Sequence, residues 1–96
     1  MNHAPVPCVR LDAWFEGHVQ GVGFRYHVCK IAREFEVVGF VENLDDGRVH
    51  LTAEGAPKET EAFLDEIRRE LSPFIKKDYS DSHPIEKPAC KGFALR

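Results

Sequence analysis

Residues 17–25 read Gly17-His18-Val19-Gln20-Gly21-Val22-Gly23-Phe24-Arg25, and they join a strand-like segment to a helical one. Residues 9–16 alternate between apolar and polar side chains, which is the period of a strand with one buried face. Residues 24–35 carry apolar side chains at helical spacing. A glycine-rich turn lets backbone N–H groups approach a ligand closely, and a helix N-terminus adds unpaired donors and a partial positive charge. The segment therefore predicts an anion site that suits phosphate.

Arg25 strengthens this interpretation. Its charge meets the positive end of the helix dipole, which is slightly unfavourable unless an anion lies between them. Two common nucleotide motifs are absent: no Gly-Lys-Ser/Thr follows Gly23, and Tyr26 stands where the dinucleotide-binding motif has its third glycine. Taken alone, the loop is also compatible with a plain strand-to-helix turn.

Composition limits the classes of function. The chain has 96 residues, 43% hydrophobic and 30% charged, which predicts one domain with a single core over residues 9–96, preceded by a flexible tail over 1–8. The net charge of −3 argues against nucleic-acid and anionic-membrane partners, so a small molecule is the expected ligand.

Cysteine usage indicates a compartment. The three cysteines, Cys8, Cys29 and Cys90, are odd in number and widely spaced, which is typical of reduced thiols in a cytoplasmic protein. A disulfide between Cys8 and Cys90 remains an alternative. The first residues have neither the basic start nor the apolar stretch of a signal peptide, and no segment reaches membrane-spanning length.

The rest of the chain predicts a small mixed fold. Its pattern gives a strand over 37–41, a turn at Asp46–Gly47, a strand over 48–54, a helix from Pro57 to Leu71, a weak strand over 77–83 and a short strand over 92–96. Two helices are too few to cover both faces of a sheet. We therefore expect an α+β, two-layer ferredoxin-like sandwich (βαββαβ plus a short C-terminal strand), with an antiparallel sheet and both helices on one face.

A second unusual segment, 39–55, surrounds Asn43. It reads Gly39-Phe40-Val41-Glu42-Asn43-Leu44-Asp45-Asp46-Gly47-Arg48-Val49 and ends at Glu54-Gly55. Asparagine is a poor strand residue and a good turn residue, so by itself Asn43 is also explained as a cap of the hairpin.

Together the two segments resemble the acylphosphatase family. The Gly-x-Val-Gln-Gly-Val-x-Phe-Arg signature of that family is matched from Gly17 to Arg25, and its Gly-aromatic-Val-x-Asn hairpin is matched from Gly39 to Asn43. The likeness covers about residues 9–71 and is loose beyond them. It implies a five-stranded ferredoxin-like domain that hydrolyses acyl phosphates without a metal or other cofactor, is a monomer, and is inhibited by its product, inorganic phosphate.

The resemblance also implies roles for individual residues. Arg25 would bind the phosphate and Asn43 would orient the attacking water. The backbone of residues 18–23 would cradle the phosphoryl oxygens; these residues are His18, Val19, Gln20, Gly21, Val22 and Gly23. Glu42 stands where the family usually has a basic or neutral residue, and strand alternation turns it away from the face that Asn43 occupies.

The chemistry suits a sparse site. The carboxylate leaving group has a conjugate-acid pKa of about 4, so it departs without a general acid. Phosphoryl transfer through a loose transition state needs mainly positioning and charge stabilisation. The proton of the attacking water can pass to the substrate phosphate, which fits a sequence in which no base stands out.

Other functional interpretations of the sequence compete with that of an enzyme. The five histidines share no metal-ligand spacing and are expected to be scattered on the surface, and Cys29 is expected to be a small core residue. A non-catalytic anion-binding or regulatory module of the same fold is the main alternative, and the presence of both Arg25 and Asn43 favours the enzyme. RNA binding is disfavoured because strand 48–54 lacks paired aromatic residues and the net charge is acidic.

Overall fold

The computed structural model describes residues 7–96. Its elements are β1 (Cys8–Gly17), α1 (Phe24–Ala32), β2 (Val38–Asn43), β3 (Val49–Gly55), α2 (Pro57–Leu71), β4 (Ile75–Ile85) and β5 (Phe93–Leu95). This order confirms the predicted fold class. β1 begins at Cys8, one residue inside the predicted tail, and residues 1–6 of that tail lie outside the described residues.

The strands form one sheet in the order β4-β1-β3-β2-β5. β3 lies at the centre and runs antiparallel to both β1 and β2. The predicted antiparallel pairing holds for β1 to β4, but the sheet is mixed, because β5 pairs parallel to β2. After β4 the chain crosses to the far edge of the sheet and enters it in the direction of β2, where the amide of Gly39 donates to the carbonyl of Gly92 at 2.9 Å.

The two helices cover one face of the sheet. Apolar side chains from both helices, from alternate positions of β1, β2 and β3 and from two connecting segments form one core: Leu11, Ala13, Phe15, Val19, Phe24, Val28, Ile31, Ala32, Val37, Val41, Val49, Leu51, Ala53, Phe63, Leu64, Ile67 and Leu71. The alternation of β1 and the stripe of α1 are thereby confirmed. Burial of such side chains is the main driving force for the fold.

The face of the sheet opposite the helices is here called the open face. Side chains at its centre are also buried, which strand alternation did not predict. Thr52 and Glu54 of β3 are 0% and 1% exposed. One Glu54 carboxylate oxygen accepts the amides of Ala89 and Cys90 at 2.9 and 2.8 Å, so the segment after β4 is fastened over β3. Local sequence patterns do not predict these two hydrogen bonds, because the donors lie 35 and 36 residues from Glu54.

A row of rings continues this cover across the open face. Trp14 stacks on His50 with 5.0 Å between ring centroids, and Tyr79 lies 5.8 Å from Trp14. On the other side, the Arg96 guanidinium lies 3.7 Å above the Phe40 ring. Trp14 therefore covers the sheet.

β4 is longer than the predicted strand over 77–83. It forms an edge of the sheet and pairs with β1 from Cys8↔Ile85 to Gly17↔Ile75. Most of its side chains are exposed, so the apolar alternation that reveals a half-buried strand is missing. Cys8, Cys29 and Cys90 are free thiols, so the alternative of a disulfide between Cys8 and Cys90 is not realised.

Candidate active site

A small cavity lies at the N-terminus of α1, beside the end of β2. Its volume is about 130 Å³, and its lining residues are Val19, Gly21, Gly23, Phe24, Arg25, Tyr26, Asn43 and Leu95. The cavity thus joins the two sequence segments that carry the predicted site. Among the described residues that line the cavity, Arg25 is the only charged one, so the potential there favours an anion.

Two glycines shape the wall of the cavity. Gly21 and Gly23 have φ of +78° and +77°, a left-handed backbone conformation that residues other than glycine rarely adopt. Nothing lies within 4 Å of a Cβ built on either residue, so conformation, and not crowding, requires glycine there.

The start of α1 supplies amide donors that the helix itself does not use. Gly23 is the N-cap, and the first helical bond runs from the amide of His27 to the carbonyl of Gly23 at 3.0 Å. The amides of residues 24–26 therefore precede the helical ladder. The first turn contains no acidic residue, so the positive end of the helix stays uncompensated beside the cavity.

Arg25 is held in place by the other edge of the sheet. Its Nη1 donates to the main-chain oxygen of Arg96 at 2.5 Å. Arg96 is itself fixed, since its amide donates to the carbonyl of Val41 at 2.9 Å. The guanidinium has five donors, so this bond orients the side chain and leaves further N–H groups for an anion.

Asn43 is the last residue of β2, and its side chain is exposed at the cavity. The turn after β2 is closed by other groups: the amide of Leu44 donates to the carbonyl of Arg48 at 2.8 Å. The carboxylate of Asp46 accepts the Arg48 amide at 3.0 Å and the Arg48 Nε at 2.9 Å. Asp46 therefore caps the turn, and the interpretation of Asn43 as the cap loses its support.

Gln20 links the loop to the hairpin through its side chain. Its Nε2 donates to the carbonyls of Leu44 and Arg48 at 2.9 and 3.0 Å. The family resemblance implies a role only for the backbone of Gln20, so this side-chain link was not predicted. A side-chain contact across 24 and 28 residues leaves no signal in local spacing.

The predicted cradle is only partly gathered around the cavity. Val19, Gly21 and Gly23 line it, whereas His18, Gln20 and Val22 do not. The amide of His18 donates to the carbonyl of Phe74 at 2.9 Å, so it is already engaged by the segment that enters β4.

The comparisons with known proteins agree with this geometry. The acylphosphatase family model matches residues 11–94. A relative named acylphosphatase in Nocardia farcinica is 46% identical over 72 residues, which are 75% of this chain and 71% of the relative. The chain belongs to the acylphosphatase family. It is accordingly an enzyme that hydrolyses acyl phosphates to a carboxylate and inorganic phosphate.

Solved structures support the same assignment. An acylphosphatase from Bacillus subtilis superposes with a TM-score of 0.80 at 26% identity, covering 92% of this chain and 98% of that one. Full-length HypF, solved in a phosphate- and nucleotide-bound form, matches with a TM-score of 0.70 at 28% identity, covering 98% of this chain and 12% of HypF. The acylphosphatase fold thus occurs both alone and as a small part of a larger protein.

Glu42, the departure from the acylphosphatase pattern, faces away from the cavity. Its Oε2 lies 2.8 Å from Nδ1 of His50 on the open face of the sheet, as strand alternation predicts. The Nε2 of His50 lies 2.9 Å from Oδ1 of Asp12. The expectation that all histidines are scattered on the surface is therefore wrong for His50, whose side chain is 14% exposed.

Cys29 offers no nucleophile to the acylphosphatase site. It packs against the core, and burial raises the pKa of its thiol despite the opposing charges of Arg33 and Arg25. A thiol with a raised pKa is less ionised and less reactive.

Within residues 7–96, no group of three or more histidine, cysteine, aspartate or glutamate side chains is arranged to hold a metal ion.

A larger cleft, of about 460 Å³, lies between α2 and β4. Its charged lining residues are Glu61, Asp65, Asp81 and Arg68. Arg68 is paired with Asp78 at 2.7 Å, so the acidic groups dominate and an anionic substrate is repelled. The smaller cavity remains the candidate acylphosphatase site.

In the described part of the chain, neither helix has the length and apolar character needed to span a bilayer.

Proposed function

We propose that Arg25, Asn43 and the loop over 19–23 carry out the acylphosphatase reaction in the 130 Å³ cavity. The observation that supports this assignment is the meeting of Arg25, the free N-terminus of α1 and Asn43 on one cavity. The phosphoryl group binds at the loop and helix N-terminus, where backbone N–H groups and the helix dipole favour a dianion.

Arg25 binds two phosphoryl oxygens through its planar guanidinium. A bidentate contact fixes the orientation of the group as well as neutralising its charge. The bond to the main-chain oxygen of Arg96 holds the guanidinium before substrate arrives, so little reorganisation accompanies the reaction. Charge that develops on the phosphoryl oxygens is thereby stabilised.

Asn43 positions the attacking water. Its amide can accept a hydrogen bond from the water and donate one, so it aims the oxygen without removing a proton. The proton passes to the substrate phosphate, and the carboxylate leaves unprotonated because its conjugate acid has a pKa of about 4. Water attack on phosphorus then yields inorganic phosphate.

Hydrolysis of benzoyl phosphate and acetyl phosphate, with and without a chelator, tests this mechanism. We expect equal rates in both conditions and competitive inhibition by inorganic phosphate. Alkyl phosphates should react far more slowly, because an alkoxide leaving group needs an acid that the proposed site lacks. Activity that is lost in chelator and restored by a divalent ion would contradict the metal-independent mechanism.

We also propose that the enzyme is a monomer in the cytoplasm, without nucleic-acid or membrane partners. The free thiols of all three cysteines suit a reducing compartment, and the net charge of −3 does not favour nucleic acid or anionic lipid. Light scattering after gel filtration checks the oligomeric state, and fractionation of cells checks the location.

A further inference from the structure

We propose that Glu54 is a positioning residue for the reaction, and that it fixes the guanidinium of Arg25 from the face of the sheet opposite α1. Its carboxylate holds the segment that leads into β5, and the residue after β5 supplies the oxygen that holds Arg25. This inference rests on the proposed function, because it takes Arg25 as the group that binds the phosphoryl oxygens.

The oxygen that holds Arg25 belongs to a short strand at the edge of the sheet. β5 has three residues, two of which are exposed, and it pairs with β2 alone. Arg96 follows it directly, and its main-chain oxygen accepts the hydrogen bond from Nη1 of Arg25. Short, exposed edge segments open more readily than the centre of a sheet. The placement of this oxygen therefore depends on the chain that precedes β5.

Glu54 anchors that chain. The residue is 1% exposed, and its Oε1 accepts the amides of Ala89 and Cys90 at 2.9 and 2.8 Å. Hydrogen bonds to a carboxylate are stronger than those between neutral groups, and leaving such a buried acceptor unpaired is costly. Two residues further on, the carbonyl of Gly92 accepts the amide of Gly39 in β2 at 2.9 Å. The chain thus reaches β5 directly from its anchor on Glu54.

Arg10 contacts the other oxygen of this carboxylate. Its Nη1 lies 3.8 Å from Oε2 of Glu54, and its Nε lies 3.4 Å from Oδ2 of Asp12. Oε1 is left for the two amides of the crossing segment. Glu54 is not among the residues that line the 130 Å³ cavity, so its effect on the reaction must pass through β5 and Arg25.

Loss of the anchor disorders the guanidinium. Without an acceptor, the amides of Ala89 and Cys90 must turn towards water, and the segment that carries β5 moves with them. The oxygen of Arg96 then no longer meets Arg25 in one fixed place. A long side chain that is mobile before binding must be ordered by the ligand, which weakens the affinity for phosphate.

Inhibition by inorganic phosphate and kcat/KM for benzoyl phosphate test the inference. Glu54→Met has a similar length but no acceptor. It should raise the inhibition constant and lower kcat/KM by about threefold to tenfold, the scale of ordering one long side chain. Glu54→Gln keeps an acceptor oxygen in the same place, so it should keep both values near those of the wild type.

Thr60→Val is the matched control for lost stability. Thr60 is 0% exposed, and its hydroxyl donates to the carbonyl of Pro57 within α2, away from β5. Its substitution should lower the melting temperature and leave phosphate inhibition unchanged. If Glu54→Met does not fold, Glu54→Asp replaces it in every measurement, because its carboxylate is one methylene too short to meet both amides.

Two further measurements separate positioning from a general loss of stability. In the Arg25→Gln background, Glu54→Met should lower kcat/KM no further, because the guanidinium that it orders is absent. Hydrogen exchange followed by NMR reports on the path itself. The amide of Arg96, which donates to the carbonyl of Val41, should exchange faster relative to that of Leu51 in Glu54→Met and not in Thr60→Val.

The outcomes distinguish this inference from the proposed function. Unchanged phosphate inhibition in Glu54→Met would overturn the inference, as would an equal loss in Thr60→Val or in the Arg25→Gln background. The proposed function would stand in each of these cases. If Arg25→Gln itself keeps wild-type inhibition and turnover, the proposed function fails, and the path from Glu54 to the phosphate fails with it.

Discussion

The side-chain amide of Gln20 donates to the main-chain oxygen of Leu44 at 2.9 Å. This bond joins the loop that leads into α1 to the residue directly after Asn43. The two halves of the proposed site are otherwise carried by different elements, with Arg25 on α1 and Asn43 on β2. Gln20 therefore sets the distance between the phosphate-binding side and the water-binding side of the cavity.

We predict that Gln20→Ala lowers kcat by about tenfold to a hundredfold, because small displacements of positioning groups have effects of that size. Phosphate affinity should change much less, since Arg25 and the N-terminus of α1 remain. Gln20→Glu is a matched variant of equal size, and its carboxylate would face the carbonyls of Leu44 and Arg48 without a proton to donate. It should be at least as damaging as Gln20→Ala. Full activity in either variant would contradict the role of this bond.

For Arg25 we predict a joint loss of binding and turnover. Arg25→Gln removes the charge that holds the phosphoryl group, so both the inhibition constant of phosphate and kcat/KM should worsen by at least a hundredfold. Arg25→Lys keeps the charge but loses the bidentate geometry, and it should be damaging as well. Inhibition by phosphate is the measurement that decides. A lysine variant with wild-type affinity would show that charge alone suffices.

The sequence predicted the fold because its signals are local. The alternation over 9–16 and the apolar stripe of α1 follow from single elements packed on one core, and both are confirmed. The parallel pairing of β5 could not be read in this way. It depends on a crossing segment that Glu54 of β3 holds through hydrogen bonds, and Glu54 is distant from that segment in sequence.

The candidate site, like the fold, was predictable from the sequence in part. Arg25 and Asn43 belong to recognisable segments, and the structure brings both to one cavity. The side chain of Gln20 and the residues Tyr26 and Leu95 were missed, because their significance lies in contacts between elements. Tyr26 did carry one signal, as an aromatic residue next to Arg25 that falls outside the apolar stripe of α1.

We predict that Asp12 contributes to stability at neutral pH and loses this contribution in acid. Burial alone would raise the pKa of Asp12, but hydrogen bonds from Thr52 and His50 and the charge of Arg10 outweigh it, so its pKa lies below the ordinary value of 3.8. A lowered pKa in the folded state stabilises the protein above the unfolded pKa, and this stability disappears as pH falls through the folded pKa.

Urea unfolding of the wild type and Asp12→Asn from pH 7 to pH 2 tests this prediction. The two proteins should differ most at neutral pH, and the difference should shrink below about pH 4, near the unfolded pKa of an aspartate. Asp45→Asn removes an exposed carboxylate outside this cluster and serves as the control. A difference that stays constant down to pH 2 would show that Asp12 acts through packing and not through its charge.

Substitution of Asn43 distinguishes a role in the reaction from a role in the stability of the fold. If its amide only aims the attacking water, Asn43→Ala should lower kcat by roughly a hundredfold or more while phosphate affinity stays near that of the wild type. The melting temperature should change little, because Asp46 and the backbone close the turn.

Asp46→Ala is the matched variant, since it removes the side-chain cap of the same turn. It should lower the free energy of unfolding and leave the folded enzyme active. Turnover, phosphate inhibition and melting temperature measured on both variants distinguish the two roles. An Asn43→Ala protein that is less stable but fully active would return Asn43 to a structural role and remove it from the mechanism.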